Sequence, residues 1–525
     1  MCRSHRVSWG PLALVLVAFS FSCAQGRRQV DGTSRATAIS TPQSTGFVTT
    51  ERASSHVDEN APDFAHGCLT LRDVAEADLV QMNGPWLYYA DESSGLWIAD
   101  VSDPDRPRVA SHVPHVGSPL YLFVRDGIAW VIFVDWDHRW SRNSVATTVI
   151  RAIDVRDAEH PAIVGEAARY GVATDARLVG GLLYALRDQD KGAIVESFGI
   201  ARTSVRPLGQ VELEGQAVEL AASSAGLAAI TKISDTPSVT WLDLPAHAPG
   251  AIEARDPVRL TGSIPERRVE NARIADADDG GTVHVVTCET ATCSDRDGSR
   301  LHVVDFAATP PRVAPSVPLA RRGGLPVTRF IDDRLYAASR DEEALTSAAG
   351  GFSELRVVEL YPSPHPSGKV RVRGMVRTLV PRGDSIVVLG QLASTEGRGR
   401  LVVHDVDVRR ANAPRLRGTA TFGSDWTWSV AEDDARGMSF DPTSRLAAIP
   451  FTLFRESDSR YGIGTQLIDL GSKGTRVGPA FSSDELVDRA IFLSGRLLTI
   501  GIGGIDVIDL RESIPETQET APRRQ

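Results

Sequence analysis

Residues 95–109 read GLWIADVSDPDRPRV, and residues 148–164 read TVIRAIDVRDAEHPAIV. Asp100, Val101, Asp103 and Pro107 of the first correspond to Asp154, Val155, Asp157 and Pro161 of the second, at identical spacing. In both, an apolar run ends on an Asp, and a Pro follows seven residues later. That pattern is a strand, a tight turn and a second strand: Pro presets its own φ, and the Asp carboxylate accepts from the turn backbone.

The strand recurs down the chain. It ends on Asp243 in SVTWLDL, Asp305 in LHVVDF, Glu359 in LRVVEL, Asp405 in LVVHDV, Asp469 in TQLIDL and Asp509 in GIDVIDL, with a weaker copy, IVESFGI, that has Gly199 in the Asp place. Successive separations are 54, 45, 44, 62, 54, 46, 64 and 40 residues, a period of about 40–45 with insertions. Another strand after a turn precedes each copy (WLYYA, IAWVIF, LLYAL and their kin), with a less regular one before that and a closing strand after most copies. The unit is therefore four strands, A to D from the axis to the rim. Nine such units predict an all-β chain folded as a single β-propeller of eight or nine four-stranded blades. The ninth unit ends near Leu510 without its own strand D. TGFVTT, residues 45–50, is a segment that would supply it and so remove an open edge.

The ends read differently. Arg3 and Arg6, an apolar run from Pro11 to Phe21 and small residues after it form a signal peptide over residues 1–22. Ser22 before Cys23 resembles a lipoprotein processing site, which makes Cys23 the residue expected to carry lipid. Residues 23–66 are polar and predict a disordered linker from that anchor, 67–512 the propeller, and 513–525 a polar disordered tail. The formal net charge is −10. With no basic stripe evident in the sequence, nucleic acid is not an expected partner.

Motifs that carry chemistry are few. HExxH, GxSxG and phosphate-loop patterns are absent from the sequence, and no metal or cofactor is expected. His112 and His115 stand three apart without a third ligand. SDRDGS (295–299 with its flanking Ser) and ADADDGG (275–281) read as hairpin turns, not calcium loops. Cys288 and Cys293 are spaced for a disulfide across a hairpin tip, as an oxidising compartment would allow.

In a propeller, B–C and D–A connections emerge on one face and A–B and C–D turns on the other. The long insertions (134–146, 288–299, 340–354, 452–464 and 422–434) fall on the first face. They make Trp136, His138, Trp140, Trp426 and Trp428 the candidate binding residues, since aromatics dominate contact hot spots. The expected role is an exported, lipid-anchored cell-envelope module that binds or scaffolds an envelope protein or polysaccharide. The alternative is an extracellular hydrolase or lyase at the mouth of the channel, with Asp425, Glu432, Asp433, Asp434 and His138 as its material.

Several blocks resemble a family of secreted bacterial and archaeal "beta propeller domain" proteins. They are EADLVQMNGPWLYYADESSGLWIADV from Glu76, TTVIRAIDVRDAEHPAIV from Thr147 and DARGMSFDPTSRLAAIPF from Asp434. The first two also resemble LVIVD repeats of bacterial surface proteins. The resemblance spans about residues 70–510 in the same order. It implies the fold and an exported location, and it brings no functional residues. Ala435 stands where the family pattern has His.

Overall fold

The computed structural model describes residues 74–510 except 76, 92–93, 116, 136–145, 190–191, 202–203, 265–269, 276–280, 292, 295, 325, 341–350, 393–398, 425, 456–459, 472–473 and 502–503. These residues form one all-β propeller of nine antiparallel blades, which settles the count at nine. Blade 1 is Val80–Asn83, Trp86–Asp91, Gly95–Asp100 and Arg108–Pro114, paired in that order from the axis outward. Blade 9 is Val487–Leu493, Arg496–Gly501 and Gly504–Asp509, three strands among the described residues. The segment TGFVTT proposed for its fourth strand lies outside the described residues.

The quoted phrase behaves as its chemistry predicts. Asp100, Asp154, Asp305 and Asp469 each stand opposite the first residue of strand B, and each carboxylate accepts a backbone N–H two residues on, at 2.7–3.1 Å. In blade 7 that residue is Asp407, not Asp405. Asp407 faces Ser385 at the start of strand B and accepts from Arg409 N at 3.1 Å, whereas Asp405 lies buried within the strand opposite Val387. The acidic doublet in HDVD offers two frames, and only the turn selects the right one.

Apolar side chains on both faces of each blade pack against the neighbouring blades. They make nine separate clusters, one for each of the nine blade–blade interfaces. An open row of nine blades would have eight. The ninth cluster joins Val80, Leu87, Tyr89 and Val101 of blade 1 to Ile491, Leu493, Leu498 and Ile500 of blade 9, so the described residues close the ring. Burial of whole aliphatic side chains contributes about 1.5–3 kcal/mol each, which makes these interfaces the main source of stability.

Polar bonds repeat around the inner strands in the same sense. Gln81 bonds Leu122 O and Val124 N of blade 2, and Tyr121 donates to Thr174 O of blade 3. Asp175 accepts Leu220 N of blade 4, and Glu219 accepts Asn271 N and Ala272 N of blade 5. Each is a buried or half-buried side chain spent on a backbone group that would otherwise face the interface unpaired.

Near the rim a second device recurs. In blades 2, 3, 6 and 7 strand D carries a β-bulge followed by Gly165, Gly209, Gly368 or Gly418. A Cβ on Gly165 would come within 2.6 Å of Val205 N, and one on Gly418 within 2.5 Å of Thr475 N, both in the next blade. Only Gly admits that approach, and the bulges also blunt the outer edges against pairing with another chain.

Candidate binding face and channel mouth

The inner strand of blade 8 is broken. Thr427–Trp428 and Ser439–Asp441 both pair with Leu446–Arg455, and between them the chain makes two short 3-10 turns, Val430–Glu432 and Ala435–Gly437. Ser429 and Glu432 cap the first turn reciprocally, and Asp434 caps the second by accepting Arg436 N. Against this excursion lies the chain's leading segment, whose strand Val74–Ala75 pairs with Val179 and Leu178 on the inner edge of blade 3.

Arg489 of blade 9 ties these parts together. Its guanidinium donates to Asp78 Oδ1 at 2.8 and 3.1 Å and to Asp434 Oδ2 at 2.6 Å, and Arg436 donates to Ala77 O. Burial by itself would raise the Asp434 carboxyl, but Arg436 and Arg489 outweigh it and hold it well below the usual carboxylate range. Glu432 lies 3.5 Å from Arg377. Of the acids proposed as catalytic material at the channel mouth, Glu432 and Asp434 thus sit in ion pairs. Asp433 makes the backbone cap of the first turn, and Asp425 and His138 lie outside the described residues.

On the B–C/D–A face, Trp428 meets Tyr461 edge-on at 6.0 Å, and Tyr461 meets Phe454 at 5.2 Å. Trp426 and Trp428 are half-buried, while Tyr461 is 63% exposed. Phe454 N bonds Trp426 O at 2.8 Å, which fixes the D–A connection to the end of strand B. The two tryptophans therefore support a small aromatic group whose open member is Tyr461, a residue the sequence reading passed over although it lies within the 452–464 insertion, near the start of strand C at Arg460–Gly471. Trp136, His138 and Trp140 lie outside the described residues.

The same face carries three other features. Cys288 and Cys293 are disulfide-bonded, with Cα atoms 5.5 Å apart. The loop they close is braced by Asp297, which accepts Thr290 Oγ1 at 2.7 Å and Ser294 N at 2.6 Å. His112 stacks on Trp97 at 4.0 Å, and His115 stacks on Phe133 at 4.5 Å. Burial, with help from Arg151, lowers His115 to about 4, so the ring is neutral at neutral pH. Both histidines are thus part of blade packing, and no group of three or more His, Cys, Asp or Glu among the described residues is arranged to hold a metal. A groove of about 780 Å³ runs between the outer strand of blade 8 (Ala480–Ser483) and Gly504–Ile508 of blade 9.

The family model described as "Beta propeller domain" matches residues 69–239. No curated protein sequence matches the chain. Among solved structures, the Dos1 propeller has 12% identity and a TM-score of 0.41, covering 81% of this chain and 89% of that one. Sqt1 of Saccharomyces cerevisiae has 9% identity and a TM-score of 0.40, covering 76% and 93%. Apo AztD of Citrobacter koseri has 14% identity and a TM-score of 0.37, covering 70% and 89%. At these identities the likenesses say nothing about what this chain binds.

Proposed function

We propose that the chain is an exported cell-envelope protein, acylated at Cys23, that binds an envelope protein or polysaccharide through its B–C/D–A face. The observation that carries the binding role is the Trp428–Phe454–Tyr461 group, with Tyr461 63% exposed on a face otherwise built from long connections. A rigid ring lets such loops vary without cost to the core. Export and anchoring rest on residues 1–23 of the sequence alone. The competing proposal, a hydrolase or lyase at the channel mouth, is weakened by the pairing of Glu432 and Asp434. A general acid must hold a proton near working pH, and Asp434 is held ionised.

Co-sedimentation of the purified chain with isolated cell envelopes tests the binding role. Trp428→Ala combined with Tyr461→Ala is expected to weaken association about tenfold, with unchanged melting of the ring. Undiminished association would remove this face from consideration. Cys23→Ala is expected to move the protein from the membrane fraction to the soluble fraction. Persistent membrane association would end the lipid-anchor reading.

A further inference from the structure

The net charge of −10 conceals an opposite local balance. The outer strands of blades 6, 7 and 8 are His365–Arg373, Arg415–Phe422 and Gly474–Ser483. They carry Lys369, Arg371, Arg373, Arg415, Arg417 and Arg476 and no Asp or Glu. The outer strands of blades 2 and 3, by contrast, each carry an acid as well as a base: Glu166 and Arg169 in one, Arg206 and Glu212 in the other. All six cations of blades 6–8 are exposed, and Arg409 and Arg410 on the blade 7 turn extend the row. The three strands adjoin one another, because Gly368 and Gly418 admit the next blade closely.

Some of this charge is answered locally. Lys369 reaches Glu354 at 2.7 Å, and Arg409 and Arg417 reach Asp407 at 2.7 and 3.0 Å. Arg371 lies 4.3 Å over the Phe352 ring. Arg373, Arg410, Arg415 and Arg476 form no ion pair with a described residue. Four exposed guanidinium groups, three on adjacent outer strands and Arg410 on the blade 7 turn, left without an ion pair among the described residues of an acidic protein, make a positive wall that favours anions. Guanidinium groups grip planar or tetrahedral oxyanions in bidentate fashion.

We infer that this wall binds an acidic polysaccharide. Three of nine blades span a third of the ring's circumference, so the wall is strongly convex. A planar bilayer touches such a surface along a narrow strip, whereas a flexible linear polyanion follows it from blade to blade. Single-stranded nucleic acid relies on exposed aromatic rings for stacking, and these three strands expose no Phe, Tyr or Trp: Phe422 is buried and Phe481 half-buried. Carboxylate or sulfate groups repeating along a sugar chain need only the cations. The assignment does not depend on the aromatic face.

Dextran sulfate and polygalacturonate are the probes, with neutral dextran as blank, titrated into the purified full chain at several salt concentrations. Both acidic polymers are expected to bind, with affinity falling steeply as salt rises. The combined variant Arg373→Glu, Arg415→Glu, Arg476→Glu changes only exposed residues. It is expected to melt normally, bind at least tenfold more weakly and show a shallower salt dependence. Arg206→Glu with Arg312→Glu, on other blades, and Trp428→Ala with Tyr461→Ala are expected to bind these probes as the parent does, which separates this inference from the proposed face. Unchanged binding by the triple variant would overturn the assignment. So would tighter capture of vesicles containing phosphatidylglycerol, or of a 20-nucleotide single strand, than of either polysaccharide.

Discussion

Replacing Arg489 with Met should open the ring at its seam. The side chain is buried, with 6% of its surface exposed, and it bridges Asp78, which leads into blade 1, and Asp434 of blade 8. Removing it strips Asp78 of its charged partner in a place water reaches poorly and leaves Asp434 to Arg436. Breaking a buried pair in this way costs about 3–5 kcal/mol, far more than the net value of the hydrogen bonds themselves. For roughly 380 described residues the unfolding entropy is about 0.8 kcal/mol/K, so Tm should fall by roughly 4–6 °C if melting stays cooperative. The effect is tied to pH. Asp434 has a depressed carboxyl, so the stability it contributes is complete above the unfolded value near 4 and is lost as pH falls further. The gap between variant and parent should therefore hold steady from pH 7 to about pH 4 and narrow only below that. Calorimetry gives the Tm, and hydrogen exchange in Trp86–Asp91 and Arg496–Gly501 reports seam opening. Arg108→Met is the control, because its pair with Glu159 is exposed and screened by solvent. A loss in the Arg489 variant no larger than in the Arg108 control would refute the seam argument.

Three further outcomes follow from the packing. Burial lowers His115 and His284 to about 4 and lowers His302 and His404 as well. The unfolded chain then takes up protons the folded one refuses, so stability should be complete above pH 6.5 and decline toward pH 4, by urea midpoints; His284→Leu should flatten that slope, and a slope equal to the parent's would refute its contribution. Gly418→Val should destabilise by about 1–3 kcal/mol because its Cβ would press on Thr475 N, while Gly351→Ala, which meets nothing within 4 Å, should be silent in the same melt. Cys288→Ala should lower stability by about 2 kcal/mol through the freed loop, and reducing agent should destabilise the parent but leave the variant unchanged.

The fold was legible because one blade device repeats in plain residues: an Asp that closes strand C, then Pro before strand D. The device tolerates Gly199 in blade 3, where the strand pairing persists without the carboxylate. It misled in blade 7 because Asp405 and Asp407 both fit a strand end, and only the turn bond to Arg409 separates them. The glycines of strand D had a sequence signal that went unread, standing 11 residues after Asp154 and again after Asp407. The basic wall had none at the level of total charge, since its cations are scattered over residues 369–476 and are gathered only by three blades standing side by side. Tyr461 was overlooked although it lies within the 452–464 insertion, because only Trp and His were taken from the long connections as contact residues. The break in the inner strand of blade 8 was likewise illegible, because WSVAEDDARGM has no strand period and reads as a loop.

The leading segment imposes an order on how this chain can finish folding. Val74 and Ala75 pair with blade 3, while Ala77 and Asp78 are held by Arg436 and Arg489, which are the better part of four hundred residues downstream. The first described residues therefore find their last partners only after nearly the whole chain has been made. A ribosome-bound or C-terminally shortened chain can stack its early blades pairwise and seat Val74 and Ala75 on blade 3, but it lacks the side chains that hold Ala77 and Asp78. The latch is thus also a length check: a chain that stops before Arg489 leaves Asp78 without its charged partner and the entry to blade 1 within reach of proteases.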